Sequence, residues 1–240
     1  MAKEFLNQGD QANLLATTSN AHSSLMLNQP LAWSPPAKKQ ALKTIAHPTP
    51  QQTWRPSEPD WTVWLDKVRW VFGYGSLIWN PEIPVVRGLL ARADGYHRRF
   101  CISSTRYRGT PEQPGVVLGL DRGGSCHGMA WELVAGQKDL ALKTLWAREM
   151  RNGAYRAKLL KVRLPSGEYL NALGFVARRE HPNFLQLKED ELLKRLAQCR
   201  GDRGSNQDYL ANTMHALQHH GISDQKLQQL LEEVQARRSN

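Results

Sequence analysis

The segment VFGYGSLIWNP, residues 71–81, places two glycines and a serine directly after an apolar run. Glycine lets a backbone approach a ligand closely, so the amides of Gly73 and Gly75 can be turned toward a bound carboxylate or phosphate. The known cofactor and hydrolase loops do not fit. The third glycine of a dinucleotide loop would stand at Ile78, and both Gly-Lys-Ser/Thr and G-x-S-x-G are absent. The segment indicates a ligand-binding loop, with a tight turn and a structural serine as the alternative.

A carboxylate, Glu149, is the second candidate for chemistry. It follows, at helical spacing, three apolar residues that predict a buried face: Leu142, Leu145 and Trp146. A glutamate among apolar groups has a raised pKa and can take and return a proton. The alternative is an ion pair at the end of the helix with one of three arginines: Arg148, Arg151 or Arg156.

Two further side chains are candidates for contact with a ligand. Arg108 lies in the Gly/Pro-rich segment SSTRYRGTPEQPG, where a guanidinium can bind a carboxylate with two hydrogen bonds. Tyr155 follows the predicted end of a helix at Gly153, and its hydroxyl can donate to a ligand. A surface arginine without a partner and a tyrosine that covers the edge of the core are the simpler alternatives.

Metal, disulfide and membrane functions are not indicated. The eight histidines show no metal-ligand spacing, and the three cysteines, Cys101, Cys126 and Cys199, form no C-x-x-C pair. No run of about 18 apolar residues or signal-peptide core is present. The sequence therefore predicts a protein without a metal site in a reducing cytoplasm.

The formal net charge of +10 raises the question of a nucleic-acid partner. The basic residues are dispersed in short pairs such as Arg98-Arg99, without a zinc-finger or RNA-binding pattern. The sequence therefore does not predict a nucleic-acid partner, and an anionic small substrate explains part of the charge better.

The chain divides by composition. Residues 1–60 hold seven of the 13 prolines and one of the 18 glycines, without apolar periodicity. Such a segment cannot bury enough surface to offset its ordering entropy, so it predicts an extended or disordered arm. Residues 61–240 form the predicted globular domain.

Short β-favouring runs predict strands at residues 70–74, 115–120, 126–133, 159–164 and 172–177. The intervening segments 121–125 and 165–167 are predicted hairpin connections.

Helical periodicity predicts helices within residues 137–153, 191–199, 206–221 and 223–238. Ser223 is the predicted N-cap of the last, and Gly153 and Gly221 are predicted helix stops. Strands followed by late helices indicate an α+β fold.

Five segments occur in a fixed order along residues 68–222. They are VFGYGSLIWNP at 71–81, YHRRF at 96–100, the groups Ser104-Thr105, Arg108-Gly109 and Gln113-Pro114-Gly115, LWAREMRNGAY at 145–155 and GDRGSNQDYL at 201–210. This combination resembles the ChaC-type γ-glutamylcyclotransferases, a family that acts on glutathione. Two departures are Asp208, where the family has Glu, and Arg106-Tyr107, where eukaryotic relatives have Asp-His.

The resemblance implies a mixed β-barrel with flanking helices, no cofactor, and cleavage of reduced glutathione to 5-oxoproline and cysteinylglycine. Glu149 matches the family's catalytic glutamate. The predicted substrate site around Glu149 consists of the segment from the first strand through the glycine loop, one tyrosine and one arginine: Val71, Phe72, Gly73, Tyr74, Gly75, Ser76, Leu77, Tyr155 and Arg108. Other γ-glutamyl substrates, or a non-catalytic role in regulating cation transport, remain the alternatives.

Overall fold

The computed structural model of the protein describes residues 61–237, which fall within one compact unit. Five strands close into a barrel in the order β1-β3-β2-β4-β5, and β1 also pairs in parallel with β5. The strands are β1 (Trp70–Gly73), β2 (Val85–Ser104), β3 (Gly115–Leu133), β4 (Tyr155–Arg163) and β5 (Tyr169–Ala177). The barrel confirms the predicted fold class, while the predicted arm at 1–60 lies outside the described residues.

The longest pairing is the antiparallel ribbon of β2 and β3, which runs from Val85↔Leu133 to Ser104↔Gly115. Its register shifts at three places, and such bulges bend and twist a ribbon. The predicted hairpin at residues 121–125 is wrong because β3 continues through it, with Arg122 and Ser125 paired to β2. The sequence analysis also did not predict β2. The predicted connection at 165–167 is confirmed, since it joins the antiparallel strands β4 and β5.

The predicted helices are confirmed as α2 (Lys138–Glu149), α3 (Glu189–Gln198), α4 (Asn206–His219) and α5 (Gln225–Ala236), and a single turn, α1 (Ser76–Trp79), precedes them. The predicted N-cap Ser223 is wrong by one residue. Asp224 caps α5 because its carboxylate accepts a hydrogen bond from the Leu227 amide at 3.1 Å. Gly221 and Gly153 follow the ends of α4 and α2 with φ of 67° and 71°. Two short strands, β6 (Arg200–Gly201) and β7 (Gly204–Ser205), lead into α4.

The start of α4 closes on itself. The Ser205 hydroxyl accepts from the Asp208 amide, and the Asp208 carboxylate accepts from the Ser205 amide. This reciprocal pair is a capping box, which usually has glutamate or glutamine at the third position. Asp208, which stands where the resemblance expects glutamate, therefore completes the capping box of α4.

Side chains of β1 alternate between two hydrophobic clusters. Phe72 lies in one cluster with Leu118 and Leu210, and Val71 lies in the other with Leu145. This alternation follows from the two-residue period of a strand. Because β1 is held on both sides by β3 and β5, the loop that follows it leaves the barrel in a fixed direction.

The buried Asn206 joins α4 to the start of β3. Its side chain accepts from the Val116 amide at 2.7 Å and donates to the Val116 carbonyl at 2.6 Å. Asn206→Ala leaves both backbone groups unpaired, so we expect the free energy of unfolding to fall by about 2–4 kcal/mol in urea titrations. His215→Ala, at an exposed position of α4, is the control and should change it by less than about 0.5 kcal/mol. Equal effects of the two substitutions would contradict the assigned role of Asn206.

Candidate active site

The loop after β1 has glycines at positions where neighbouring atoms leave little room for a side chain. A Cβ atom on Gly73 would lie 3.1 Å from the carbonyl carbon of Leu77, and one on Gly75 would lie 3.0 Å from the hydroxyl oxygen of Tyr209. Neither glycine has a positive φ; that of Gly75 is −137°. Close approach, rather than left-handed backbone, therefore explains both glycines.

One tyrosine of this loop, Tyr74, and two neighbouring tyrosines are held by hydrogen bonds to or from backbone groups. The Tyr74 hydroxyl donates to the Phe175 carbonyl at 2.7 Å, which ties the loop to β5. The Tyr155 hydroxyl donates to the Leu118 carbonyl at 2.8 Å, and the Leu118 amide donates to the Tyr209 hydroxyl at 3.4 Å. Burial raises the pKa of Tyr209 to about 12 and holds the pKa values of Tyr74 and Tyr155 well above their usual range. All three are therefore protonated at neutral pH.

The carboxylate of Glu149 lies at the end of α2, with 14% of its side chain exposed. Burial raises its pKa, and the positive charges of Arg148 and Arg203 lower it in part. Its Oε1 atom lies 3.0 Å from the Nε atom of Arg148. Both interpretations of the sequence therefore hold at once, since the carboxylate has a raised pKa and is also paired with an arginine.

Arg148 connects this carboxylate to the loop. Its side chain is 8% exposed, and it donates to the Ser76 hydroxyl at 2.8 Å and to the Asn80 carbonyl at 2.6 Å. A third contact joins it to the Glu82 carboxylate at 3.3 Å. The sequence analysis considered Arg148 only as an ion-pair partner. Its position directly before Glu149 was the one available sign of a role in the site.

The predicted carboxylate-binding residue Arg108 is buried. Its guanidinium donates to the Ser205 carbonyl at 3.0 Å and lies over the Tyr209 ring at 5.2 Å, a cation–π contact. Burial lowers its pKa. Arg108 therefore supports Tyr209, a residue that the sequence analysis quoted within GDRGSNQDYL but did not place in the site.

The other predicted residues divide into two groups. Gly73, Tyr74, Gly75 and Ser76 form the loop beside Tyr209 and Arg148. The side chains of Val71, Phe72 and Leu77 belong to the hydrophobic clusters, so these side chains do not face a ligand. Arg203, which pairs with Glu82 at 3.5 Å, adds a partly exposed cation that the sequence analysis missed.

Within residues 61–237, no group of three or more His, Cys, Asp or Glu side chains is arranged to hold a metal ion. No helix in the same range has the length and apolar character needed to cross a membrane.

Removing the positive charge of Arg148 should raise the pKa of Glu149 further, because that charge now favours the ionised carboxylate. We expect Arg148→Met to raise this pKa and Arg148→Lys to raise it less, measured by carbon NMR titration of labelled glutamate carboxyls. Arg156→Met, which removes an exposed arginine paired with Glu180, should leave it unchanged. An unchanged or lowered pKa in Arg148→Met would contradict the assigned electrostatics.

The chain was compared with known proteins. A family model described as ChaC-like protein matches residues 69–237. The glutathione-specific gamma-glutamylcyclotransferase of Escherichia coli (strain K12) is 35% identical over 166 residues, which cover 69% of this chain and 72% of that protein. The glutathione-specific gamma-glutamylcyclotransferase 1 of Mus musculus is 33% identical over 179 residues, 72% of this chain and 80% of that protein.

A solved structure agrees with these relatives. The crystal structure of a γ-glutamyl cyclotransferase specific to glutathione from yeast superposes with a TM-score of 0.65 and 25% identity, covering 70% of this chain and 96% of that chain. The family match extends over well more than half of the sequence and includes the barrel, the loop and Glu149. The chain therefore belongs to the ChaC-like family.

Proposed function

We propose that this protein is a γ-glutamylcyclotransferase that cleaves reduced glutathione into 5-oxoproline and cysteinylglycine. The family and the relatives named for this activity support the proposal. The structural observation that carries it is the buried carboxylate of Glu149, which Arg148 connects to the hydroxyl of Ser76 in the glycine loop. A proton acceptor with a raised pKa thus lies beside a loop suited to hold an anionic group.

In this reaction the substrate supplies its own nucleophile. The α-nitrogen of the γ-glutamyl group attacks the γ-carbonyl carbon, a five-membered lactam forms, and the bond to the cysteinyl nitrogen breaks. The loop Tyr74-Gly75-Ser76-Leu77 would hold the α-carboxylate so that the chain curls. Fixing reacting atoms in such a near-attack geometry can contribute roughly 7–11 kcal/mol.

Glu149 would move the proton. As a carboxylate it accepts one proton from the α-ammonium, and as a carboxylic acid it gives that proton to the departing cysteinyl nitrogen. The second proton that the attacking nitrogen loses as the lactam forms also ends on cysteinylglycine, whose amine leaves as an ammonium. General acid–base catalysis of this kind contributes a factor of about 10² to 10⁴, most effectively when the pKa lies near the working pH. Burial moves the pKa of Glu149 in that direction. As the pH is lowered, kcat should therefore begin to fall at a higher pH than it would if the base were an exposed glutamate with an ordinary pKa.

The developing oxyanion needs hydrogen-bond donors. The Tyr155 hydroxyl already donates to the Leu118 carbonyl, so a donor role would require that bond to break. The Tyr209 hydroxyl oxygen accepts a hydrogen bond from the Leu118 amide, so the hydroxyl hydrogen is still available for donation. The same hydroxyl lies against Gly75. Tyr209 is therefore the better side-chain donor, together with amides of the loop.

Two alternatives remain open. A cyclotransferase for other γ-glutamyl amino acids or amines would use the same loop and Glu149, because these recognise only the shared half of the substrate. A non-catalytic regulator of cation transport has no need of a carboxylate in a costly buried position. Product analysis across a panel of γ-glutamyl compounds separates the first alternative from glutathione.

Glu149→Gln, nearly isosteric, should abolish turnover and leave folding and much of the substrate binding intact. Purified protein is incubated with reduced glutathione, without added metal or nucleotide, and 5-oxoproline and cysteinylglycine are followed by mass spectrometry. Glu180→Gln, which changes an exposed carboxylate paired with Arg156, is the matched control and should retain activity. Turnover of wild-type rate in Glu149→Gln would rule out the assigned base.

We further propose that residues 1–60 lie outside the catalytic domain, since the family match begins at residue 69. Deleting them should change kcat/KM for glutathione by less than about twofold, because no catalytic group in the proposed mechanism lies there. A loss of activity with retained folding, judged by circular dichroism, would assign the segment to the working domain. The cytoplasm as compartment, and the lack of a nucleic-acid partner, stay predictions.

A further inference from the structure

The guanidinium of Arg98, on β2, is buried against the back of the glycine loop. Its side chain is only 4% exposed. One nitrogen, Nη1, donates to the Tyr74 carbonyl at 3.0 Å, and Nη2 donates to the His127 carbonyl on β3. The third, Nε, lies 3.0 Å from the carboxylate of Asp224. Every nitrogen of the fork therefore has a partner from a different part of the chain.

The bond to Tyr74 bears on the orientation of Gly75. The Tyr74 carbonyl and the Gly75 amide belong to one planar peptide unit, in which C=O and N–H point in opposite directions. A donor that fixes the carbonyl therefore also fixes the direction of the amide, away from Arg98. We infer that Arg98 is a positioning residue, which holds the Gly75 amide toward the γ-glutamyl group through the Tyr74–Gly75 peptide. The inference rests on the proposed function, which places the substrate at this loop.

The far side of Arg98 is also fixed. Asp224 caps α5, since its Oδ1 atom accepts from the Leu227 amide while its Oδ2 atom faces Arg98. The carboxylate can therefore neither rotate nor follow the guanidinium without opening the first turn of α5. In this way the capped helix, the buried arginine and the loop form one continuous set of contacts. The helix α5 supports the loop from behind without touching the substrate.

Lysine cannot replace this arginine. An ammonium group at the end of a flexible stem can remain near the Asp224 carboxylate, but it cannot reach three acceptors in three directions as a planar fork does. Arg98→Lys should thus restore part of the stability that Arg98→Met loses, without restoring the position of the Tyr74–Gly75 peptide. Arg98→Lys should therefore be more stable than Arg98→Met, while the two variants should bind the substrate equally poorly.

The experiment compares wild type, Arg98→Met, Arg98→Lys and Arg99→Met. Arg99 is the matched control, because it is the next residue on β2 and pairs instead with Asp121, which keeps Arg179 as a second partner. We expect both Arg98 variants to raise KM for glutathione by about tenfold or more, with a smaller change in kcat. A change of this size corresponds to the loss of one well-placed hydrogen bond to the substrate. Arg99→Met should leave KM unchanged. Partial unfolding alone would lower kcat and leave KM as it is.

Amide exchange followed by NMR gives a second readout that needs no turnover. The Ile78 and Asn80 amides, bonded to the Gly75 and Ser76 carbonyls, should exchange faster in both Arg98 variants. The Leu164 amide, bonded to Glu168 in the β4–β5 turn, should not change. Three results would each overturn the inference. The first is a wild-type KM in Arg98→Met, the second is a KM that changes in step with the unfolding temperature across the variants, and the third is unchanged amide exchange in the loop. A wild-type protein inactive on all γ-glutamyl substrates would overturn the proposed function alone, and the exchange data would then decide the role of Arg98.

Discussion

The burial of one carboxylate, Glu149, constrains the rest of the site. A buried negative charge is costly, and the protein balances it with the adjacent guanidinium of Arg148. The balance is incomplete, since burial still raises the pKa. Because the same guanidinium also binds Ser76 and Asn80, the proton affinity of Glu149 and the position of the loop depend on one side chain. A change in either therefore affects the other.

The barrel brings these groups together from distant parts of the chain. The loop leaves β1, its Tyr74 is tied to β5, and Tyr155 at the start of β4 is tied to β3. The Leu118 carbonyl on β3 accepts from the Tyr155 hydroxyl, and the Leu118 amide donates to the Tyr209 hydroxyl. A shift in the register of β3 would therefore move both tyrosines. A closed barrel has no free edge at which such a shift could begin. Closure therefore contributes to the precision of the site as well as to stability.

Local patterns in the sequence predicted much of this arrangement. Helical spacing identified α2 and the buried side of Glu149, and turn residues identified the β4–β5 connection. The same signals were wrong at residues 121–125, because β3 continues through this segment. Arg122 and Ser125 are paired with β2, and Gly123 and Gly124 lie at a register shift between them. The contacts of Arg148 with Ser76 and Asn80 were not predictable, since these partners lie 72 and 68 positions away. Local sequence gives the residue types, whereas contacts at that distance depend on the closed fold.

The basic composition has a structural explanation in part. Arg98, Arg108 and Arg148 have buried side chains, and each donates to at least one backbone carbonyl near the loop or near Tyr209. A guanidinium suits this task because its planar fork satisfies several carbonyl oxygens at once and its charge persists when it is buried. Positive charge used in this way is not displayed to a polyanion. Three of the arginines that make the chain basic thus serve to hold the loop and Tyr209 in place.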